Sequence, residues 1–195
     1  MKQLWTVAKT NVKTGRITTS YVGESQDEAR ASCLGCPQLG DPTGDWSKET
    51  PTCYAWAGKV RRGANMVWNQ STLPQDLASA FKRAPDKRAV RMGAIGDPRR
   101  VEAARQEAAW ARKQGAAVLA YTHHWREKGP AGDKDIFMAS CDSWPDAKLA
   151  LSMGWVPTVI VPQGTPKVIH TSTGHSFLRC PAETSKELGG HVTCG

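Results

Sequence analysis

Apolar and polar positions alternate over residues 4–8 and again over 17–22, with Thr14-Gly15-Arg16 between them. That period of two reads as two strands joined by a turn. Ser25 followed three residues on by Glu28 has the form of a capping box, and predicts a short helix delivering the chain to Cys33. Residues 54–69 have few breakers and carry apolar Trp56, Val60, Val67 and Trp68, which predicts a helix, and a further short helix is expected to start at Pro74.

From residue 88 onward the chain takes on a strand–helix rhythm. In AVRMGAIGDP an apolar run ends in two glycines, an aspartate and a proline. Asp97 suits an N-cap and Pro98 a first helical position, and Val101, Ala104, Ala108 and Ala111 then share one apolar face up to Gly115. AAVLAYTHHW reads as a buried strand with a polar carboxyl end. IFMASC is another strand, delivering Cys141 into a loop, after which Ser143 and Pro145 open a helix that Gly154 closes. VPTVIVP and two short segments near 168–171 and 176–180 complete the chain.

Strands alternating with helices imply parallel pairing through right-handed crossovers, hence an α/β open sheet or partial barrel. A closed eight-unit barrel needs roughly 250 residues. A chain of 195 residues is therefore expected to form a partial (βα)5–6 barrel. One domain over 1–195 is expected, with the N-terminal strands and cysteine loop in 1–53 and a helix followed by βα units in 54–195. Chemistry in such folds gathers at the carboxyl ends of the strands, here 93–97, 122–125, 141–143 and 170–173.

Composition adds three constraints. At 39% hydrophobic residues the chain shows no deficit pointing to disorder. It has no apolar run of membrane-spanning length, and its first residues lack a signal-peptide core, so a soluble, cytoplasmic protein without a membrane partner is expected. A formal charge of +8 and a pI near 9.3 point to an anionic partner: DNA, RNA or a nucleotide.

In a reducing compartment the six cysteines favour metal or redox use over disulfides. Cys33, Cys36 and Cys53 lie in the Gly- and Pro-rich stretch SCLGCPQLGDPTGDWSKETPTCYAWAG. The two-residue gap lets Cys33 and Cys36 reach one centre while turn residues keep the backbone open. The sixteen residues before Cys53 match neither a compact ferredoxin run nor a zinc finger with a second paired motif. An iron–sulfur cluster, zinc and a metal-free set of thiols all remain open. Cys180 and Cys194 are the first candidates for a fourth ligand, with Cys141 and the histidines behind them. Cys141 reads as a small buried hydrophobe, and Cys194 requires the tail to fold back.

Several elements carry a resemblance. The cysteine loop ends in Cys53-Tyr54-Ala55 with Gly58 soon after, and a basic–aliphatic strand runs into Gly96-Asp97. An aromatic strand follows as Ala120-Tyr121-Thr122, and Cys180-Pro181 precedes a last cysteine, Cys194. In these features, over most of its length, the chain resembles small phage and prophage proteins of unknown function, the "gene product 88" family. Such proteins look like minimal relatives of radical S-adenosylmethionine enzymes. The resemblance implies a 4Fe–4S cluster on Cys33, Cys36 and Cys53, with an open iron for S-adenosylmethionine. It places Gly93, Gly96 and Asp97 where those enzymes receive the cofactor's amino group, and it implies action in a host cytoplasm. If Cys180 or Cys194 takes the fourth iron position, the cluster is closed to that cofactor.

The remaining candidates each have two readings. His123 and His124 end a strand, so period two should send one into the cavity as a base or ligand and the other away. The plainer reading is a hydrogen-bonded histidine at a strand end. Asp97 is either a catalytic group or a helix cap, and Asp142 either a site residue or a loop-ordering one. Basic residues cluster at Lys59, Arg61 and Arg62, over 82–91, and at Arg99 and Arg100. Arg61, Arg62, Arg99 and Arg100 are expected at the mouth of the site to hold phosphates, or else are a solvated surface. Trp46, Trp56 and Trp68 either stack on bases or are buried.

Overall fold

The computed structural model describes residues 1–7, 15–36, 38–39, 53, 58–69, 76–162 and 164–180. Two antiparallel strands, β1 (Gln3–Val7) and β2 (Thr18–Val22), open the chain. α1 (Gln26–Ser32), α2 (Gly58–Trp68) and α3 (Leu77–Arg83) lead to β3 (Ala89–Met92). There follow α4 (Ala104–Lys113), β4 (Ala117–Thr122), α5 (Asp133–Ile136), β5 (Met138–Cys141), α6 (Trp144–Ser152) and β6 (Pro157–Val159). A hairpin of β7 (Val168–His170) and β8 (Ser176–Leu178) stands as a separate two-stranded sheet.

The main sheet runs β1-β2-β3-β4-β5-β6, parallel from β2 onward. The molecule is thus mixed α/β, with a six-stranded, mostly parallel sheet flanked by helices. Among the described residues β1 and β6 are the end strands and do not pair with each other.

The caps forecast from sequence form through local hydrogen bonds. Ser25 accepts from the Glu28 amide at 3.2 Å, while the Glu28 carboxylate accepts from the amide of Glu24, one residue earlier than a reciprocal box requires. Ser143 caps α6 and Gly154, at φ +78°, follows its end. One boundary differs. Asp97 and Pro98 open only a 3₁₀ turn, Pro98–Arg100, and α4 starts afresh at Ala104. Val101, expected on that helix face, instead lies in the break and is fully buried.

The main core lies between one face of the sheet and helices α3, α4 and α6. Trp5, Val22, Val90, Met92, Ala120, Ala139 and Cys141 meet Leu77, Ala80, Phe81, Ala104, Ala108, Ala111, Ala147 and Ala150 there. Small helix residues let backbones approach, and Cys141 is a core residue, as a lone strand cysteine ordinarily is. A second, smaller core of Ala29, Leu39, Ala64 and Ile95 forms where α1, α2 and the loop after β3 meet.

A buried ion pair ties the segment after β4 to the loop after β3. The Arg99 guanidinium donates to Asp133 at 2.7 Å and to the carbonyls of His124 and Glu127, and lies over the Trp155 ring. Asp133 also receives Arg105 at 2.6 Å. Removing Arg99 leaves buried Asp133 with Arg105 alone and takes the donor from the His124 and Glu127 carbonyls. Arg99→Ala is expected to lower unfolding free energy by about 3 kcal/mol, measured as a fall in the urea midpoint at unchanged slope; an unshifted midpoint refutes it.

Candidate functional site at the carboxyl edge of the sheet

The loops that leave β2, β3, β4 and β5 converge on the second core. Cys33 caps the end of α1, and the Cys36 amide donates to the Cys33 carbonyl at 2.9 Å, so the two-residue gap is a tight turn. The Cys53 amide donates to the Gln38 carbonyl at 3.1 Å, which brings the distant cysteine beside the pair. All three half-buried thiols border the Ile95 cluster together with Tyr21, Val60 and Trp68. Gln38 extends onward, its Nε2 donating to Asp142 Oδ1 at 3.0 Å, and so couples the cysteine loop to the loop after β5.

Burial pushes the Cys33 thiol up to about 12, with Asp97, Cys36 and Cys53 adding to it and the Ser32 hydroxyl opposing it. Cys36 is pushed up to about 11 by burial, then by Cys53, Asp142 and Asp97, against a backbone hydrogen bond from Gln38. Cys33 and Cys36 are thus held protonated at neutral pH. As chemistry, the donor set suits a thiophilic metal. As spacing, no group of three or more His, Cys, Asp or Glu among the described residues is drawn together closely enough to hold an ion.

Beneath the thiols lies a buried polar knot. The Ser32 hydroxyl donates to the Ala29 carbonyl and accepts from the Asp97 amide at 2.8 Å. Asp97 Oδ1 accepts from the Arg99 amide, and its Oδ2 accepts from the Thr122 hydroxyl at 2.8 Å and the His123 amide at 3.0 Å. His124 Nε2 donates to the Ser32 carbonyl at 3.0 Å, while Nδ1 lies 2.8 Å from Glu127 and 3.1 Å from Arg100. Burial pushes the Asp97 carboxyl above its ordinary 3.8, and His124 with the three donors pulls the other way.

These contacts place each expected residue. Asp97 is the cap and the centre of the knot, with both oxygens engaged. His124 is buried within it. The alternation expected for His123 and His124 does not apply, because β4 stops at Thr122 and His124 enters a 3₁₀ turn. His123 stays about a quarter exposed, its Nε2 3.9 Å from Asp142; burial lowers its pKa while Asp142 and Asp97 oppose that.

Gly93 and Gly96 adopt φ of +64° and +80°, and both are closed against protein atoms. A Cβ on Gly93 would come within 2.6 Å of Pro98, and one on Gly96 within 2.5 Å of Val22 and 2.8 Å of the Ser32 hydroxyl. Their glycine identity therefore follows from the turn.

Of the four arginines, Arg61 and Arg62 are exposed on α2. Arg100 is 42% exposed and paired with Glu127. Arg99 corrects the expectation of a phosphate-holding rim: it is buried in the Asp133 pair, where that carboxylate, two carbonyls and the Trp155 ring offset its desolvation. Trp68 donates to the Gly23 carbonyl and packs on the second core. Cys180 follows β8 and is not part of the Ile95 cluster. Cys194, Trp46 and Trp56 lie outside the described residues. Sequence reasoning did not single out Ser32 and Gln38, whose partners are 65 and 104 positions away.

No family model, curated protein or solved structure matches the chain. Among the described residues no helix is long and apolar enough to cross a membrane.

Because the folded Asp97 pKa is raised, the folded state holds its proton to higher pH than the unfolded chain does. Stability therefore falls as pH rises from 3.8 through the folded value. Asp97→Asn is expected to cost about 2 kcal/mol at pH 4, where its amide opposes a donor it must face. Its deficit should narrow by pH 7 as the wild-type carboxylate ionises. Urea titrations at the two pH values check this, and a deficit that widens with pH refutes it.

Proposed function

We propose that the chain is an iron–sulfur protein in which Cys33, Cys36 and Cys53 hold a 4Fe–4S cluster at the rim of a partial (βα)5–6 barrel. On this reading it acts on a nucleotide or nucleic acid in the manner of radical S-adenosylmethionine enzymes. The observation that carries the proposal is the gathering of three thiols from separated segments at the carboxyl edge of a parallel sheet. A nucleophilic or redox cysteine needs a lowered pKa, and Cys33 and Cys36 are shifted the opposite way. Such thiols become ligands when a cation replaces the proton. The sequential strand order supports the barrel: without a reversal point the crossovers collect on one side, as in barrel winding. The likeness to phage "gene product 88" proteins supports a phage origin and a host-cytoplasmic setting.

When bound, the cluster would supply one-electron chemistry. The chain's own contribution is to seat the cysteine loop through Ser32, Gln38 and the Asp97 knot, and to offer His123 beside Asp142 at the same edge. The full engagement of Asp97 and His124 in structural hydrogen bonds favours a second reading, a non-catalytic cluster or zinc module that binds nucleic acid through Arg61 and Arg62.

Anaerobic reconstitution with iron and sulfide tests both. Thiolate-bound iron should absorb at about 400 nm. Cys33→Ala, Cys36→Ala and Cys53→Ala are expected to abolish it, while Cys180→Ala and Cys194→Ala keep it and wild type cleaves S-adenosylmethionine. Bound zinc, or a cluster without cofactor cleavage, moves the conclusion to the second reading. Absence of any metal overturns the metal centre.

A further inference from the structure

Helix α3 leads into the start of β3 and α4 into the start of β4, so both helices end at the amino edge of the sheet, opposite the cysteines. Their last turns hold Lys82 and Arg83 on α3 and Arg112 and Lys113 on α4. The Phe81 and Trp110 rings meet edge to face with centroids 5.6 Å apart, which sets the two helix ends side by side. The strands add to the same rim. Arg16 precedes β2 and Arg88 precedes β3, level with each other in the register that pairs Thr18 with Val90. The Arg88 carbonyl in turn accepts from the Ala117 amide at 2.8 Å, where α4 hands over to β4.

This rim is open, and its charge is uncompensated. Arg16, Lys82, Arg83, Lys87, Arg112 and Lys113 are all exposed, and a Cβ on Gly115, between α4 and β4, would meet nothing within 4 Å. Elsewhere Arg99, Arg100, Arg105 and Arg126 each meet a carboxylate. On the rim Arg88 pairs with Asp86 at 2.9 Å, but among the described residues no carboxylate pairs with the six exposed cations. Lys87 and Arg112 donate to the carbonyls of Ala84 and Asp135, which satisfies a donor and leaves the charge in place. A helix dipole favours cations in the last turns of α3 and α4. It does not account for Arg16 and Lys87, which lie outside those turns.

We infer that this rim binds the phosphate backbone of a nucleic-acid duplex, with Arg16, Lys82, Arg83 and Lys113 meeting phosphates and Lys87 and Arg112 adding to the field. The inference rests on the nucleic-acid reading above and places the contact at the edge opposite the thiols. Charge decides the occupant. Cations spread over the width of several strands call for an anion of repeating charge rather than a single phosphate. An anionic membrane surface calls for apolar side chains beside the cations, and exposed Leu149, Val156 and Ile160 belong to α6 and the ends of β6 instead. The rings at this edge, Phe81 and Trp110, are packed on each other rather than held out to stack on bases. Contacts to phosphate position a duplex without reading its sequence.

Fluorescence anisotropy of the full chain with labelled mixed-sequence DNA and RNA duplexes, over a series of salt concentrations, tests this. Wild type should bind a duplex with an affinity that falls steeply as salt rises and varies little with sequence. The combined variant Lys82→Gln, Arg83→Gln, Lys113→Gln should bind more weakly and lose about one unit of log–log salt slope per phosphate contact removed. A charge-matched control, Lys128→Gln, Lys148→Gln, Lys167→Gln, alters exposed lysines elsewhere and should keep the wild-type slope. Matching circular dichroism spectra establish that the variants fold. Equal slopes for the rim variant and the control overturn the inference, and so does capture by phosphatidylserine vesicles with neither duplex bound. Loss of duplex binding confined to Arg61→Gln, Arg62→Gln overturns it while leaving the nucleic-acid reading standing, whereas a wild type that binds no duplex removes both. Iron content of the same preparations reports on the cluster independently.

Discussion

The carboxylate of Asp97 is the constraint on which the rest of the carboxyl edge depends. It lies in the interior and accepts hydrogen bonds from the Arg99 amide, the Thr122 hydroxyl and the His123 amide, while its own amide donates to Ser32. One residue thereby joins the end of α1, the turn after β3 and the end of β4. An ionised carboxylate in that position is expensive unless each oxygen is satisfied. The donors that satisfy it are the backbone groups whose positions define the site. Cys33 follows Ser32 directly, so the cysteine loop inherits its placement from the same knot.

A second layer of support comes from charge. Arg99 turns away from solvent to meet Asp133, and in doing so it holds the carbonyls of His124 and Glu127. The turn bearing His124 is thus fixed from behind by Arg99 and from in front by Ser32. Removing these polar groups from water is compensated only as a set, which makes the edge rigid. Rigidity at the rim contrasts with the arrangement of the thiols, which are gathered but not closed on a centre.

Much of the element order was legible from residues 17–22, 89–92, 117–122 and 138–141, because strand alternation and apolar runs are written locally. Caps at Ser25, Asp97 and Ser143 were legible for the same reason: each bonds an amide two or three residues away. The four-residue helix α5 escaped notice, being too short for periodicity to register. The helix expected from Pro98 onward broke at Val101, where burial of that side chain against the core outweighed helix continuity. Arg99 was misread as a surface cation because nothing near it in sequence announces Asp133, 34 positions on.

By itself the sequence determined an α/β chain with parallel strands, its local caps and stops, and a loop of three thiols suited to a soft metal. Those follow from covalent spacing, backbone propensity and the chemistry of sulfur. Only the tertiary structure decided that Cys53 joins Cys33 and Cys36, that Asp97 and His124 are spent on structure, and that Arg99 is interior. Each of these depends on groups far apart in the chain sharing one desolvated space, where burial sets which donor meets which acceptor.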